Sequence, residues 1–183
     1  MIPFPKPYAD RVARLRVPSG FLIAAAFAWF SHPSPRSLAA GLPVSFLGLA
    51  IRAWAAGCLA KNQQLATGGP YAYTRNPLYI GTLLVAAGLA IASRSVGLGI
   101  LFAAVFLLVY LPVIQLEEQH LRRLFPDYDP YAAQVPALWP RRPALPPKNP
   151  NPFRIALYLK NQEYQAGVGF AAGMLFLLWK LMA

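Results

Sequence analysis

The stretch PLYIGTLLVAAGLAIASRSVGLGILFAAVFLLVYLPVIQL, residues 77–116, carries one charge, Arg94, in its whole length. A helix crossing the hydrocarbon core of a bilayer uses about 20 mostly apolar residues, so this stretch is long enough for two crossings. Ser93, Arg94 and Ser95 are its one polar cluster and mark the turn. The stretch therefore reads as a tight hairpin of helices over 77–92 and 96–116, with its two open ends side by side. Outward from it lie further apolar segments at 17–30, 37–59 and 166–182. The expected fold is all-α, a polytopic transmembrane bundle of about five helices in which the third and fourth form the hairpin. The segments at 17–30 and 77–92 are short for a crossing and require tilt or borrowed flanking residues.

Composition agrees with a membrane protein. Of 183 residues, 57% are apolar and 13% charged, too apolar for a soluble domain of this size. The net charge of +11 invites a nucleic-acid reading, but long uncharged stretches separate the basic residues, which fall at membrane flanks rather than on one wet face. Cys58 is the single cysteine, which excludes an internal disulfide and a cysteine metal cluster, and reads as packing. No metal site is expected. Lys6, Arg11, Arg14 and Arg16 precede an apolar run with no small-x-small cleavage site, so that run reads as a retained first span.

Sidedness follows from the positive charges. With the N-terminus cytoplasmic, Lys6, Arg11, Arg14, Arg16, Lys61, Arg75, Arg122, Arg123, Arg154 and Lys160 share one side, against Arg36, Arg94 and Lys180 on the other. Arg141, Arg142 and Lys148 are too far from any span to count. The N-terminus and the site are thus expected in the cytoplasm. Arg52 alone is basic within a span, where charge is costly and either functional or snorkelling.

The chain divides into N-terminal membrane helices (1–60), a core (61–140), a proline-rich cytoplasmic linker (141–165) and a last membrane helix (166–183). Pro126, Pro130, Pro136, Pro140, Pro143, Pro146, Pro147, Pro150 and Pro152 preclude a continuous helix after about Phe125. Gly169 and Gly173 form a GxxxG pair that permits close packing of the last helix.

Two polar clusters flank the hairpin at its open end. The first is GGPYAYTRNPLYIG, residues 68–81, and the second is EEQHL, residues 117–121. Arg75, Asn76 and Tyr79 should face Glu117 and Glu118, which proposes a site from geometry alone. Ordinary helix-flank anchors and a solvated acidic helix end would explain the same residues.

The two clusters together resemble the superfamily of isoprenylcysteine carboxyl methyltransferases and phospholipid methyltransferases. The resemblance lies in Gly69, Tyr71, Arg75, Asn76, Pro77, Tyr79 and Gly81, then, after the hairpin, Glu117, Glu118, Leu121, Phe125, Tyr128, Tyr131, Val135 and Pro136. It covers residues 61–140. It implies an integral membrane methyltransferase using S-adenosyl-L-methionine, held without a Rossmann fold at the cytoplasmic helix ends. It further implies cofactor contacts at Gln63, Gln64, Leu65, Ala66, Tyr71, Asn76, Pro77, Leu78, Tyr79 and Glu117. Arg75 and Glu118 are the candidate catalytic pair, with the alternative that they hold the hairpin together. A carboxylate at Glu117 suits a ribose or an ammonium, and the tyrosines suit adenine or a sulfonium.

Two departures from the pattern bear on the acceptor. Asn76 replaces the family's histidine, which removes a titratable group. Val113 stands where prenylcysteine-methylating members carry an arginine, so an amine-headed lipid or a neutral hydrophobic acceptor, beside Tyr110, Val113 and Gln115, is expected instead. The expected partners are a lipidic acceptor and membrane lipids, with no nucleic acid. His120, one turn past Glu117, reads as interfacial. Two rival functions share these features: a nicotinamide-dependent membrane reductase of the steroid-reductase type, which needs a cluster of free cations near the hairpin, and a non-enzymatic membrane adaptor.

Overall fold

A computed structural model describes residues 4–142 and 151–182. Pro143, Pro146, Pro147, Lys148 and Pro150 of the expected linker lie outside them. Every regular element among the described residues is helical. The order is α1 (Lys6–Phe30), α2 (Pro35–Cys58), a 3-10 turn (Gly69–Ala72), α3 (Pro77–Ser93), α4 (Val96–Val105), a π-helical turn (Phe106–Tyr110), α5 (Leu111–Leu124), α6 (Tyr128–Gln134), α7 (Ile155–Lys160) and α8 (Tyr164–Met182).

Helix α2, the continuous rod Val96–Leu124 and helix α8 are long and apolar enough to cross a membrane. Helix α1 adds a fourth if its halves, Lys6–Leu15 and Pro18–Phe30, bent by 53° to one another, count as one span. Helix α3 is apolar but has 17 residues. The architecture is that of a multi-pass membrane protein with three or four such spans.

The centre of the bundle is the antiparallel pair α2 and α3. Their facing residues, Gly41, Ser45, Gly48 and Arg52 against Gly81, Val85, Gly88 and Ala92, are small or lie flat. A methyl group on Gly48 would sit 2.6 Å from the Gly81 carbonyl, and one on Gly41 would sit 2.8 Å from the Ala92 nitrogen. Ser45 Oγ donates to the Val85 carbonyl at 3.2 Å. Between lipid-facing helices, where burial of apolar surface gives little, such backbone approach supplies the attraction. The GxxxG pair of the last span plays no equivalent part: a methyl on Gly169 meets nothing within 4 Å, and one on Gly173 meets only Leu89 at 3.9 Å. The reason is that α8 packs through the larger Phe170, Met174 and Leu177.

The long rod is interrupted where Pro112 falls. Proline has no N–H to give the carbonyl four residues back, Leu108. The chain widens there into the π turn, and Tyr8 Oη of α1 donates to the freed Leu108 oxygen at 2.9 Å. Phe4 N donates to Gln115 Oε1 at 2.9 Å, fastening the start of α1 beside α5. At the opposite end Lys180 Nζ donates to the Ala28 carbonyl at 2.8 Å.

That opposite end holds the short connections. Arg94 adopts the left-handed conformation, φ 56°, between α3 and α4. Ser37 Oγ donates to the Ala92 carbonyl at 2.9 Å, and His32 N to the Ser93 carbonyl at 2.8 Å. The other end carries the long irregular segments, 59–76 and 125–142, and the described part of 151–163. This last part does more than connect, since α7 packs on α2 and Asn161 Nδ2 caps the α2 carbonyls of Ala56 and, just beyond, Leu59, both at 2.9 Å.

Candidate active site

Helix α3 begins at Pro77, a residue pre-set for a first turn. The backbone before it is fixed by the tail after α6. Arg75 N donates to the Pro136 carbonyl at 2.9 Å, Thr74 Oγ1 to the Ala137 carbonyl at 3.1 Å, and Arg141 N to the Tyr73 carbonyl at 2.9 Å. Asn76 Nδ2 donates to the Ala137 carbonyl at 3.0 Å. Both motif clusters and the tail therefore form one assembly.

Within it the adjacent glutamates face different ways, as neighbours on a helix must. Glu118 is buried, and Arg75 Nη2 reaches its Oε1 at 2.9 Å. Arg75 Nε also donates to Glu118, at 3.0 Å, and Nη1 to the Ala132 and Val135 carbonyls at 2.8 and 2.9 Å. All three guanidinium nitrogens are thus engaged. Glu117 is exposed, and its Oε1 accepts from Tyr79 Oη at 2.9 Å.

Glu117 and Tyr79 border a polar cavity of about 510 Å³, within the roughly 300–1,000 Å³ of small-molecule sites. Its wall includes Gln64, Leu65, Ala66, Tyr71, Asn76, Pro77, Leu78, Tyr79 and Glu117, along with Arg75. Gln63 is absent from it: this residue sits exposed on the turn after α2, its N–H given to the Ala60 carbonyl. Glu118 is turned away to Arg75. His120 does reach the wall, as do Tyr128 and Tyr131.

The wall combines tyrosine rings with carboxylates. Tyr71 is 6% exposed, and its hydroxyl is buried with no hydrogen-bond partner among the described residues, a donor left for a ligand. Tyr131 Oη donates to the Tyr71 carbonyl at 2.7 Å, fixing the ring's backbone. Burial, reinforced by neighbouring Tyr131, raises the Tyr71 phenol above its ordinary range, and burial does the same at Tyr128 and Tyr131. These three rings are neutral donors rather than bases. Acidic charge comes from Glu117 and Glu163.

Glu163 and Asn161 are wall residues that the sequence reading passed over as linker. The signal was present: Glu163 is the one acid after Asp129, and Arg52 is a basic residue well inside an apolar segment rather than at its terminus, as Lys180 is. They pair, Arg52 Nε to Glu163 Oε1 at 2.5 Å. Farther along, Asn151 Oδ1 accepts from Thr67 N and Gly68 N at 3.1 and 3.0 Å, holding the strip that carries Ala66.

A second, apolar cavity of about 690 Å³ lies between α2, α3, α4 and α8, lined among others by Leu49, Val85, Phe102, Phe106, Tyr110 and Phe170. Of the three residues expected around an acceptor, Tyr110 alone lies on it. Val113 is buried against neighbouring helices, and Gln115 is bonded to Phe4.

Comparison with known families accounts for this grouping. The model of the phospholipid methyltransferase family matches residues 40–128. Over these residues the chain is similar to the phospholipid methyltransferase family. The family match includes both motif clusters, Arg52 and the α2–α3 pair, and stops before Tyr131, Asn161 and Glu163.

Two curated relatives match part of the chain. The nickel-cobalt-cadmium resistance protein NccN of Alcaligenes xylosoxydans xylosoxydans is 38% identical over 109 residues, covering 56% of this chain and 51% of that protein. The cobalt-zinc-cadmium resistance protein CzcN of Cupriavidus metallidurans is 36% identical over 110 residues, covering 59% and 51%. The chain thus matches about half the length of each relative. No solved structure matches the chain.

Proposed function

We propose that the protein is an integral membrane methyltransferase that transfers a methyl group from S-adenosyl-L-methionine to a lipidic or hydrophobic acceptor. One observation carries this reading: the two halves of the family motif, separated by about 40 residues of helix, close around a single cavity with a buried hydroxyl at Tyr71 that has no partner among the described residues.

When bound, the cofactor supplies an electrophilic methyl on a sulfonium. Glu117 is the residue to accept hydrogen bonds from a ribose or ammonium, oriented by Tyr79 Oη. Tyr71, Tyr128 and Tyr131 offer ring faces and neutral hydroxyls. Arg75 and Glu118, proposed from the sequence as catalytic, are better assigned as the brace that positions Asn76 to Tyr79 against α5. Displacement at a methyl carbon needs alignment and exclusion of water more than covalent machinery. The buried cavity wall and the tail over it provide both.

The same reading includes five crossings, α3 completing the count as the first arm of a hairpin with the rod Val96–Leu124. It places the N-terminus and the cavity on the cytoplasmic side, with the acceptor arriving from the bilayer. A nicotinamide reductase would want free cations at the cavity. Of the arginines and lysines on its wall, Arg52 and Arg75 are ion-paired, which leaves Lys61. The relatives' names attach metal resistance to those proteins, and the reading for this chain rests on the methyltransferase family and the cavity.

Equilibrium binding of S-adenosyl-L-methionine to the purified chain in detergent tests the proposal. Saturable binding that Glu117→Ala weakens supports it; absence of binding by folded protein rejects it.

A further inference from the structure

The polar and apolar cavities share two wall residues, Arg52 and Thr82. An acceptor moving from the apolar cavity toward a methyl donor in the polar one passes them. Arg52 lies six residues before Cys58, the last residue of α2, hence about 9 Å along the helix from that end. A charge at that depth is tolerated only with partners. Nε is held by Glu163 and Nη1 donates to Thr82 Oγ1, whose own hydroxyl donates to the Leu78 carbonyl at 2.9 Å. Nη2 has no hydrogen-bond partner among the described residues. Gly81 leaves the room in which the arginine stem lies, because a methyl there would collide with Arg52 Cγ.

We propose that Arg52 selects the methyl acceptor by binding an oxyanion on its polar head, a carboxylate or a phosphate oxygen, at the open Nη edge. The acceptor's apolar tail then occupies the cavity between α2, α3, α4 and α8. This rests on the methyltransferase reading above and specifies its acceptor as an anionic amphiphile. The absence of an arginine at position 113 argued for an amine or neutral head, but Val113 is walled off, and the cation comes from α2 instead. A guanidinium presents paired donors that match the two oxygens of an oxyanion. Glu163 sets the strength of the site. Its carboxylate holds the Nε edge, so an arriving anion is attracted by the guanidinium and repelled by Glu163 across the same few ångströms. Lys61 lines only the polar cavity, and every nitrogen of Arg75 is already engaged, so neither substitutes at this boundary.

The test is ligand binding without turnover, on the full chain in phosphatidylcholine nanodiscs, read by titration calorimetry. Palmitate, lysophosphatidate and hexadecanol serve as carboxylate, phosphate and neutral probes, and S-adenosyl-L-methionine is titrated into the same samples. At least one anionic probe is expected to bind about tenfold or more tighter than hexadecanol, and Arg52→Gln to abolish that preference. The stronger anionic arm names the head. Glu163→Gln, which removes the competing charge, is expected to tighten anion binding about threefold or more, a gain that a merely structural arginine would not produce. If Arg52→Gln alone fails to fold, Arg52→Gln/Glu163→Gln removes both charges together and must show the same lost preference. Parent protein that binds S-adenosyl-L-methionine but binds all three amphiphiles alike overturns this inference and leaves the methyltransferase reading standing. So does an anion preference that survives in the arginine variants, or a Glu163→Gln protein with no gain. Parent protein that fails to bind S-adenosyl-L-methionine rejects the methyltransferase reading itself.

Discussion

Arg75 and Glu118 meet at 2.9 Å, with side chains only 13% and 9% exposed, while Glu117, the next residue along, faces the cavity. The two adjacent carboxylates should therefore fail in different ways when removed. Glu118→Ala leaves a buried guanidinium uncompensated, a loss of about 3 to 5 kcal/mol for a broken buried pair. The expected result is a large drop in the unfolding temperature in detergent, with partial recovery in Glu118→Gln. Glu117→Ala should leave that temperature near the parent's and weaken cofactor affinity by about 1.5 to 3 kcal/mol. Equal thermal losses in the two variants would contradict the division of roles.

The glycines give a second contrast. A methyl on Gly81 sits 2.7 Å from the Gly48 carbonyl and collides with the Arg52 stem, so Gly81→Ala must push α2 from α3. Overpacking of this kind costs about 1 to 3 kcal/mol. Gly169→Ala meets open space and should be neutral or stabilising, by up to about 1 kcal/mol from helix propensity. Thermal unfolding of both in detergent checks the pair, and a destabilised Gly169→Ala protein would show that α8 packs closely on something after all.

Strain at Gly69 is separate from packing. Its φ of 57° is left-handed, and a methyl there would stand 2.9 Å from Cys58 Sγ. Gly69→Ala should cost about 1 kcal/mol or more and reduce cofactor affinity together with stability, because the turn presents Tyr71. Calorimetric titration and melting of the same preparation measure both.

Alkaline stability reports on the buried tyrosines. Tyr71, Tyr128 and Tyr131 hold their protons to higher pH than an ordinary phenol, chiefly through burial. The unfolded chain therefore releases these protons first, and stability, complete below about pH 10, falls as pH rises beyond it. Between roughly pH 9 and 11 the Tyr71→Phe protein should lose less of its unfolding temperature than the parent does. A parallel decline in the two would mean that Tyr71 ionises freely.

The positive-inside reading also makes a labelling prediction. In a Cys58→Ala background, a cysteine at Arg142 should react with an impermeant reagent only from the cytoplasmic side, and one at Arg94 only from outside. The reverse pattern would invert the site.

The sequence by itself determined the helical, membrane-embedded class, since forty residues with one charge leave few alternatives in or out of a bilayer. It also determined which polar clusters meet, because a turn at 93–95 between apolar segments must bring residue 79 toward residue 117, and Tyr79 does bond Glu117. Gly69, Tyr71, Arg75 and Glu117 were legible as motif. What only the tertiary structure decided was the division of labour among them: which of two neighbouring glutamates is buried depends on the helix phase against Arg75. It also decided the pairing of Arg52 with Glu163, which are 111 residues apart. Local pattern carries no information at that separation, whereas the close α2–α3 contact through glycines and the return of residues 151–163 over the cavity create it. Those two features place a cation on the wall shared by the two cavities, and no periodicity in the chain announces it.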